Sequence, residues 1–586
     1  MLGEDFVRVL YIDLENRKAD IRERKDLYKY LGGTGVAAKL LEENMKKGLP
    51  PLHEEQPLII SIGPLSTIFP VVTKAVATFI SPHTGEYGES HAGGRLAMAM
   101  RNAGYDAIVI TGRAHKPTYL LITDRNIEFK DARAMWGLDI EEVGRVVRER
   151  EPGPGKRSII RIGRAGENLV TYSCVNVDTY RHFGRLGMGA VFGSKNLKAM
   201  IIMGERDLPI SNLKEYFKTY QEIYKKATQT DAMAKYHELG TPLNIKVLNA
   251  INSLPTKNLL QSTFEHADDI SGERFAEKNL IRKVSCTGCP IGCIHIGQFR
   301  REFDKGYEYE SIAVSYDHEL VYALGSLLGI RTSDEVLEII EEVELAGLDA
   351  MTTGVVLAWA TEALQKGLIT KEDTLADLEF GNTKEYIKAI DYIADRANEF
   401  YYTIGNGLNE AVKKYGGQEF ALLYGGNEMA GYHTGYGFAL GQTVGARHSH
   451  LDNAGYSYDQ SAKELKDEEI VDYVIKEEKE RNVLTSLCIC LFARKVYDRP
   501  TILKALHSIG IDWTDDDLTR LGNDIFFTKL RIKKELGYSL ENYRFPKRVF
   551  ETPTLWGRMD EERLNRLLRM YIDRVEKEYE DWSRGQ

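Results

Sequence analysis

The first 210 residues alternate apolar and polar positions in short runs broken by glycine. FVRVLYIDL, PLIISIGPL, YDAIVITG, TYLLIT, SIIRIG and LKAMIIMG each carry the two-residue period of a strand. Short helices are expected after Gly35 and over 139–150. Beyond residue 211 the period lengthens to that of a helix, as in LKEYFKTYQEIYKKA, SDEVLEIIEEVELAG, NTKEYIKAIDYIADRANEF and DEERLNRLLRMYIDRVEKEYEDW. The pattern predicts an α+β chain: a β-rich domain over 1–210, a helical domain over 211–420 and a mainly helical domain over 421–586. A chain of 586 residues is also too long for one compact core. No internal repeat or low-complexity linker interrupts it.

Charge narrows the partners. With 77 basic against 87 acidic residues the net charge is −10, which argues against nucleic acid, since phosphate binding needs a basic face. An acidic electron carrier would be repelled unless a local basic patch received it. No apolar run reaches the ~18 residues of a membrane span. The opening MLGEDFVRVLYIDLENRK lacks a secretory pattern and reads as an edge strand. The chain has six cysteines, and their clustering fits metal binding in a reducing cytoplasm rather than disulfides.

Four of those cysteines carry the first candidate chemistry. Cys286, Cys289 and Cys293 stand in CTGCPIGC, and Cys490 in SLCICLF. Three thiolates on one tight turn and a fourth from elsewhere make the shell an iron–sulfur cluster needs. Spacing alone leaves zinc open, with His295 as an alternative fourth ligand. Cys174 and Cys488 read as small buried hydrophobes. Glycine clusters carry the second. Gly33 and Gly35 in LGGTGVAAKLL mimic a dinucleotide fingerprint but lack its good leading strand and its later acidic residue. ESHAGGR, RIGRAGENLV and RHFGRLGMGAVFGSKNLKAM interleave glycines with Arg161, Arg181, Arg185 and Lys195. Close backbone N–H groups beside cations suit a large phosphorylated cofactor.

Eleven stretches, in order, carry a family likeness: GGTGVAAKLL, the GPL near residue 63, SPHTG, GGRLAMAMRNAGYDAIVITG, RAGENLVTYSCVNV, RHFGRLGMGAVFGSKNLKA, SCTGCPIGC, YEYESIA, AGLDAMTTGVVLAWA, GARHSH and SLCICLF. Together they resemble the tungsten-containing aldehyde:ferredoxin oxidoreductases over essentially the whole chain. The resemblance implies tungsten held by two pterin dithiolenes, a [4Fe–4S] cluster beside one pterin, and a saddle-like β domain capped by two helical ones. It makes Cys286, Cys289, Cys293 and Cys490 the cluster ligands. Glu344 and Asp349 bound one pterin element, ELAGLD, and Thr485 opens the other, TSLCIC, where aspartate is usual. Lys74 stands where relatives carry a cofactor-contacting arginine, and Arg164 replaces a proline. Pterin phosphates and a bridging Mg2+ are expected at residues 91–95 (His91, Ala92, Gly93, Gly94, Arg95) and 181–189 (Arg181, His182, Gly184, Arg185, Gly187, Gly189).

For catalysis the resemblance points to Glu310 of YEYESIA, with Glu308 its neighbour, and to His448 of GARHSH as a donor to oxygen. On a strand, His448 and His450 would face the same way, leaving His450 a substrate-channel candidate. NEMAGYHTGYGF, near residue 428, departs from the family pattern where a substrate channel is expected. The implied reaction oxidises aldehydes to carboxylic acids, or runs in reverse, passing electrons to ferredoxin or a small iron–sulfur subunit. Two alternatives stand beside it: a subunit of a tungsten aryl-CoA or acid reductase complex, and a zinc-stabilised binding protein. Homo- and hetero-oligomeric assembly are both compatible.

Overall fold

In the computed structural model, residues 2–585 are described except 152, 154, 305 and 307. The chain resolves into two compact units whose segments interleave. Unit 1 comprises residues 1–238, 285–293 and 479–537; unit 2 comprises 239–284, 294–478 and 538–586. Three consecutive domains were expected, with the thiolates carried by the helical ones. By its contacts, each cysteine-bearing stretch belongs to the unit that contains the β domain.

Unit 1 is built on two six-stranded sheets. The first uses β1 (Val7–Asp13), β2 (Lys18–Arg24), β3 (Leu58–Ser61), β4 (Ala75–Ile80), β5 (Tyr87–Ala92) and β6 (Ala107–Thr111) in the order β2-β1-β6-β3-β4-β5. The second uses β7 (Thr118–Ile122), β8 (Ile127–Asp131), β9 (Ser158–Arg161), β10 (Val175–Val177), β11 (Arg181–Phe183) and β12 (Leu197–Ile202) in the order β11-β10-β9-β12-β7-β8. One parallel pair runs through each, β1 with β6 and β7 with β12. Alternate residues such as Leu10, Ile12, Ile60, Phe79, Ile108, Leu120, Ile160 and Met200 meet in one shared core, as period-two patterning demands. The opposite face of the second sheet (Tyr119, Leu121, Ile159, Ile201) is covered by Val143 and Val147. They belong to the helix Ile140–Arg150, started by Asp139 accepting the Glu142 N–H. The first strand is not an edge. That place is taken by β2, whose exposed KADIRER sequence blocks further pairing with charge.

Unit 2 is mainly helical. The helix Ala350–Gln365 is apolar almost all round and buries Trp359 at its centre, as an enclosed helix must. The helix His318–Leu324 crosses it so closely that a Cβ on Gly354 would lie 2.3 Å from the Ala323 carbonyl. Strands β13 (Leu280–Val284), β14 (Ile294–Asp304) and β15 (Glu308–Tyr316) form an antiparallel sheet whose outer half is exposed.

Candidate metal centre

Backbone hydrogen bonds draw the two cysteine segments of unit 1 together through residues 71–74. The Val71 N–H donates to the Gly288 carbonyl at 3.3 Å, and the Val71 carbonyl accepts from Cys490 N–H at 3.1 Å. Lys74 N–H donates to Cys488 at 3.2 Å, and Thr287 N–H to Gly94 at 3.1 Å. The turn itself closes with Cys289 N–H on the Cys286 carbonyl at 3.1 Å. Cys286, Cys289, Cys293 and Cys490 are all partly exposed, whereas Cys174 and Cys488 are buried.

Burial pushes the Cys289 thiol up to about 12, with Cys490, Cys293 and Cys286 adding to the rise. Burial likewise takes Cys293 to about 11, followed by the charge of Cys490 and opposed by Arg181 and Lys74. Four sulfurs therefore share one electrostatic neighbourhood. Yet among the described residues no three Cys, His, Asp or Glu side chains gather tightly enough for a lone metal ion. Tetrahedral zinc would need its sulfurs ~3.8 Å apart, from Zn–S bonds of ~2.3 Å. A quartet of thiolates is a ligand set that zinc or an iron–sulfur cluster can use.

The glycine loops divide into two kinds. Gly93 lies against the centre: a Cβ there would stand 2.5 Å from Cys286 Sγ, 3.4 Å from Arg181 Cδ and 3.6 Å from Lys74 Nζ. Three predicted cofactor contacts thus converge on a predicted cluster ligand. Gly184 faces open space, with nothing within 4 Å of a Cβ. Gly187 and Gly189 instead pack on the backbone of 171–174, and Gly189 N–H already donates to Ser173 at 3.0 Å. Arg95 N–H is likewise engaged, by Asp178 Oδ2 at 2.7 Å, beside Gly94. The expected cradle of free amides over 91–95 and 181–189 is therefore narrower than the glycine count suggests.

Neighbouring side chains are organised around buried carboxylates and carbonyls. Ala92 sits in β5 opposite Ala75, and His91 opposite Val76. His91 Nε2 meets Glu89 at 2.7 Å, and Glu89 also receives Tyr87 Oη at 2.5 Å and Lys529 Nζ at 2.9 Å. His182 pairs with Asn176 at 3.1 Å, and Arg185 is half-buried. Thr485 donates its hydroxyl to the Arg481 carbonyl at 2.8 Å, one turn back in its helix. Missing from the sequence-based set is Arg101. It is buried, donates to the Pro64 carbonyl at 3.2 Å, and keeps Nε without a partner among the described residues. A buried cation with donor capacity beside this loop suits an anionic cofactor.

In unit 2, Asp349 caps the helix Ala350–Gln365, accepting from Met351 N–H at 2.9 Å and Thr352 Oγ1 at 2.6 Å, while Glu344 lies in the last turn of the helix Ser333–Ala346. Glu310 and His448 are not brought together. Glu310 and Glu308 lie on the exposed outer half of β15, and Glu310 pairs with Arg301 at 2.7 Å, its side chain 43% exposed. Tyr307, which opens that motif, lies outside the described residues. His448 is buried but on a bend, not a strand: its φ is +51°, and Nδ1 meets the Thr443 carbonyl at 2.7 Å. Its ring lies 6.0 Å from Tyr538.

A less exposed carboxylate is Glu319, its side chain 20% exposed. Its Oε1 lies 3.3 Å from His450 Nε2 and 3.3 Å from Tyr432 Oη. Burial would raise its pKa, but the His450 hydrogen bond and the His318 ring outweigh that and hold it down at about 2. Burial depresses His318 to about 4. The His450 ring lies tilted against Tyr432 and Tyr456, centroids 5.3 and 5.8 Å away, and its Nδ1 is buried without a partner among the described residues. A signal for Glu319 was present in the sequence: HELVYAL is an apolar helical run with one charged residue near its start, and such residues are seldom enclosed without a partner.

Comparison with known proteins decides the family. Residues 9–204 match the N-terminal domain of aldehyde ferredoxin oxidoreductase, and residues 218–577 match its domains 2 and 3. The chain belongs to the aldehyde ferredoxin oxidoreductase family. It is 30% identical over 574 residues to the tungsten-containing aldehyde ferredoxin oxidoreductase of Thermococcus kodakarensis, covering 93% of this chain and 91% of that one. To the Pyrococcus furiosus enzyme of the same name it is 31% identical over 548 residues, covering 90% and 88%. The aliphatic sulfonate oxidoreductase WOR-like subunit of P. furiosus is 32% identical over 409 residues, covering 66% and 64%. Among solved structures, the active site complex BamBC of benzoyl coenzyme A reductase with 1,5 dienoyl-CoA superposes with a TM-score of 0.82 at 20% identity, covering 98% of this chain and 94% of that one. At that identity the likeness establishes the fold. Membership makes this family member an oxidoreductase and implies a tungsten–pterin cofactor.

Proposed function

We propose that the protein oxidises aldehydes to carboxylic acids at a tungsten–bis-pterin centre and exports the electrons through a [4Fe–4S] cluster. The observation that carries this reading is the convergence of Gly93, Lys74 and Arg181 on Cys286 within the four-thiol neighbourhood. The net reaction, aldehyde plus water to carboxylate, three protons and two electrons, needs a two-electron acceptor; bound tungsten supplies that, and the cluster releases electrons singly.

Cys286, Cys289, Cys293 and Cys490 would hold the cluster. Thiolates are the ligands, so loading this site must expel the protons that burial retains on Cys289 and Cys293. Lys74 and Arg181 offset anionic charge on cofactor and cluster, and Gly184 leaves space for phosphate, with Mg2+ as the hard counter-ion. Within unit 2, Glu319 and His450 are the acid–base pair favoured over the exposed Glu310. An ionised Glu319 holds the proton of His450 on Nε2, which leaves the Nδ1 lone pair as acceptor. Nδ1 is then the ring atom able to take up and give back a proton. Tyr432 steadies the same carboxylate.

Metal analysis of native protein tests the reading, with tungsten and iron expected near one to four, followed by an aldehyde panel with a viologen acceptor. Zinc without tungsten would overturn it. Turnover of an aryl-CoA ester but no aldehyde would replace aldehyde oxidation with acyl-CoA reduction on the same cofactor. A cytoplasmic location and a ferredoxin-type acceptor complete the proposal.

A further inference from the structure

On a chain of net charge −10, three cations gather beside the turn that carries Cys490. Lys235 and Lys495 are exposed, and Arg494 is half-exposed. The Lys235 ammonium is held below its ordinary pKa, first by partial burial and then by repulsion from Arg494 and Lys495. Repulsion of that kind requires the three to sit close together.

Their position is fixed by the helix Asp231–Glu238. Tyr236 stacks flat on Phe492, centroids 4.1 Å apart and planes within 7°, and Lys235 Nζ lies 4.9 Å from the Tyr236 ring. The next residue, His237, meets the Ile291 carbonyl at 2.6 Å. One short helix therefore touches both cysteine segments. The preceding helix, Leu213–Thr228, adds apolar surface, with Phe217 56% and Tyr224 44% exposed. It is anchored by Tyr216, whose ring lies 5.3 Å from Phe69, close in sequence to the Val71 that bonds both thiol loops.

We propose that Lys235, Arg494 and Lys495 form the docking surface for an acidic one-electron carrier protein. The proposal rests on the reading of the thiols as a cluster. A cluster of cations at the surface is the feature of a transient, electrostatically steered interface. Like charges crowded on an acidic molecule gain a favourable partner when an acidic protein covers them. Each docked carrier takes one electron from the reduced cluster, so two visits clear the pair released by one aldehyde.

The test uses tungsten- and iron-loaded holoenzyme, with an acidic ferredoxin as probe. Reduced enzyme, freed of reductant, is mixed with oxidised ferredoxin and the second-order rate followed against ionic strength. Lys235→Glu/Lys495→Glu is expected to lower that rate about tenfold or more at low salt and to flatten its salt dependence. Lys235→Arg/Lys495→Arg should retain both, and viologen-linked aldehyde oxidation should be unchanged in either variant. A charge-reversed enzyme that reduces ferredoxin at the wild-type rate and salt slope would overturn the proposal, as would an equal fall with viologen. Because the ferredoxin step is read without aldehyde, wild-type electron transfer that responds to charge reversal in a protein oxidising no aldehyde would support the surface while overturning the substrate.

Discussion

Glu319 and Glu310 belong to neighbouring elements yet stand in opposite environments, one enclosed against His450 and the other in water against Arg301. Glu319→Gln should therefore lower kcat by about 10²–10⁴ with tungsten and iron retained, because a neutral amide no longer stabilises the imidazolium formed when His450 takes a proton. Glu310→Gln should leave kcat near wild type; steady-state rates on metal-assayed protein compare the two. Gly93→Ala should lose iron, read by iron content and visible absorbance, since its methyl would collide with Cys286 Sγ. Gly184→Ala, facing open space, should keep it. The cysteine quartet is legible as a candidate because thiol spacing carries the chemistry, and backbone hydrogen bonds join its two segments. The exposure of Glu310 was not legible: YEYESIA reads as a motif, but residues 308–311 all lie on the exposed outer half of β15, and nothing local reveals that.

Elements were easier to read where one physical rule dominated. Period-two runs became the strands of unit 1, and the helix expected over 139–150 begins at its Asp139 cap. GARHSH is not a strand, which needs extended backbone throughout: His448 has a φ of +51° and His450 opens a short helix. Ties between distant elements left no local trace. Arg548 grips Glu362 at 2.6 Å and the Asn258 carbonyl at 2.8 Å, all buried. Glu362→Ala should destabilise unit 2 by about 3–5 kcal/mol, leaving that guanidinium uncompensated; denaturant unfolding followed by Trp fluorescence measures the loss. The conservative Glu362→Gln should lose less, since it still accepts a hydrogen bond.

At the scale of the molecule, acid sensitivity follows from buried imidazoles. Burial, opposed only by its bond to the Thr552 carbonyl at 2.9 Å, depresses His433 to about 4. The unfolded state then binds more protons than the folded state between pH 6.5 and 4, so this contribution is full above 6.5 and lost as pH falls through that window. From pH 7.5 to 5 the loss is about 2 kcal/mol for this group. His433→Gln should reduce the pH dependence of unfolding free energy by that amount. The interleaving of the two units has a consequence for biogenesis. Residues 285–293 and 479–537 complete the same unit as residues 1–238, so the fourth thiol reaches its site only after most of the chain has left the ribosome. Metallation must then follow synthesis, and a ribosome-tethered chain ending before Cys490 would carry the three-cysteine turn yet fail to mature a stable centre.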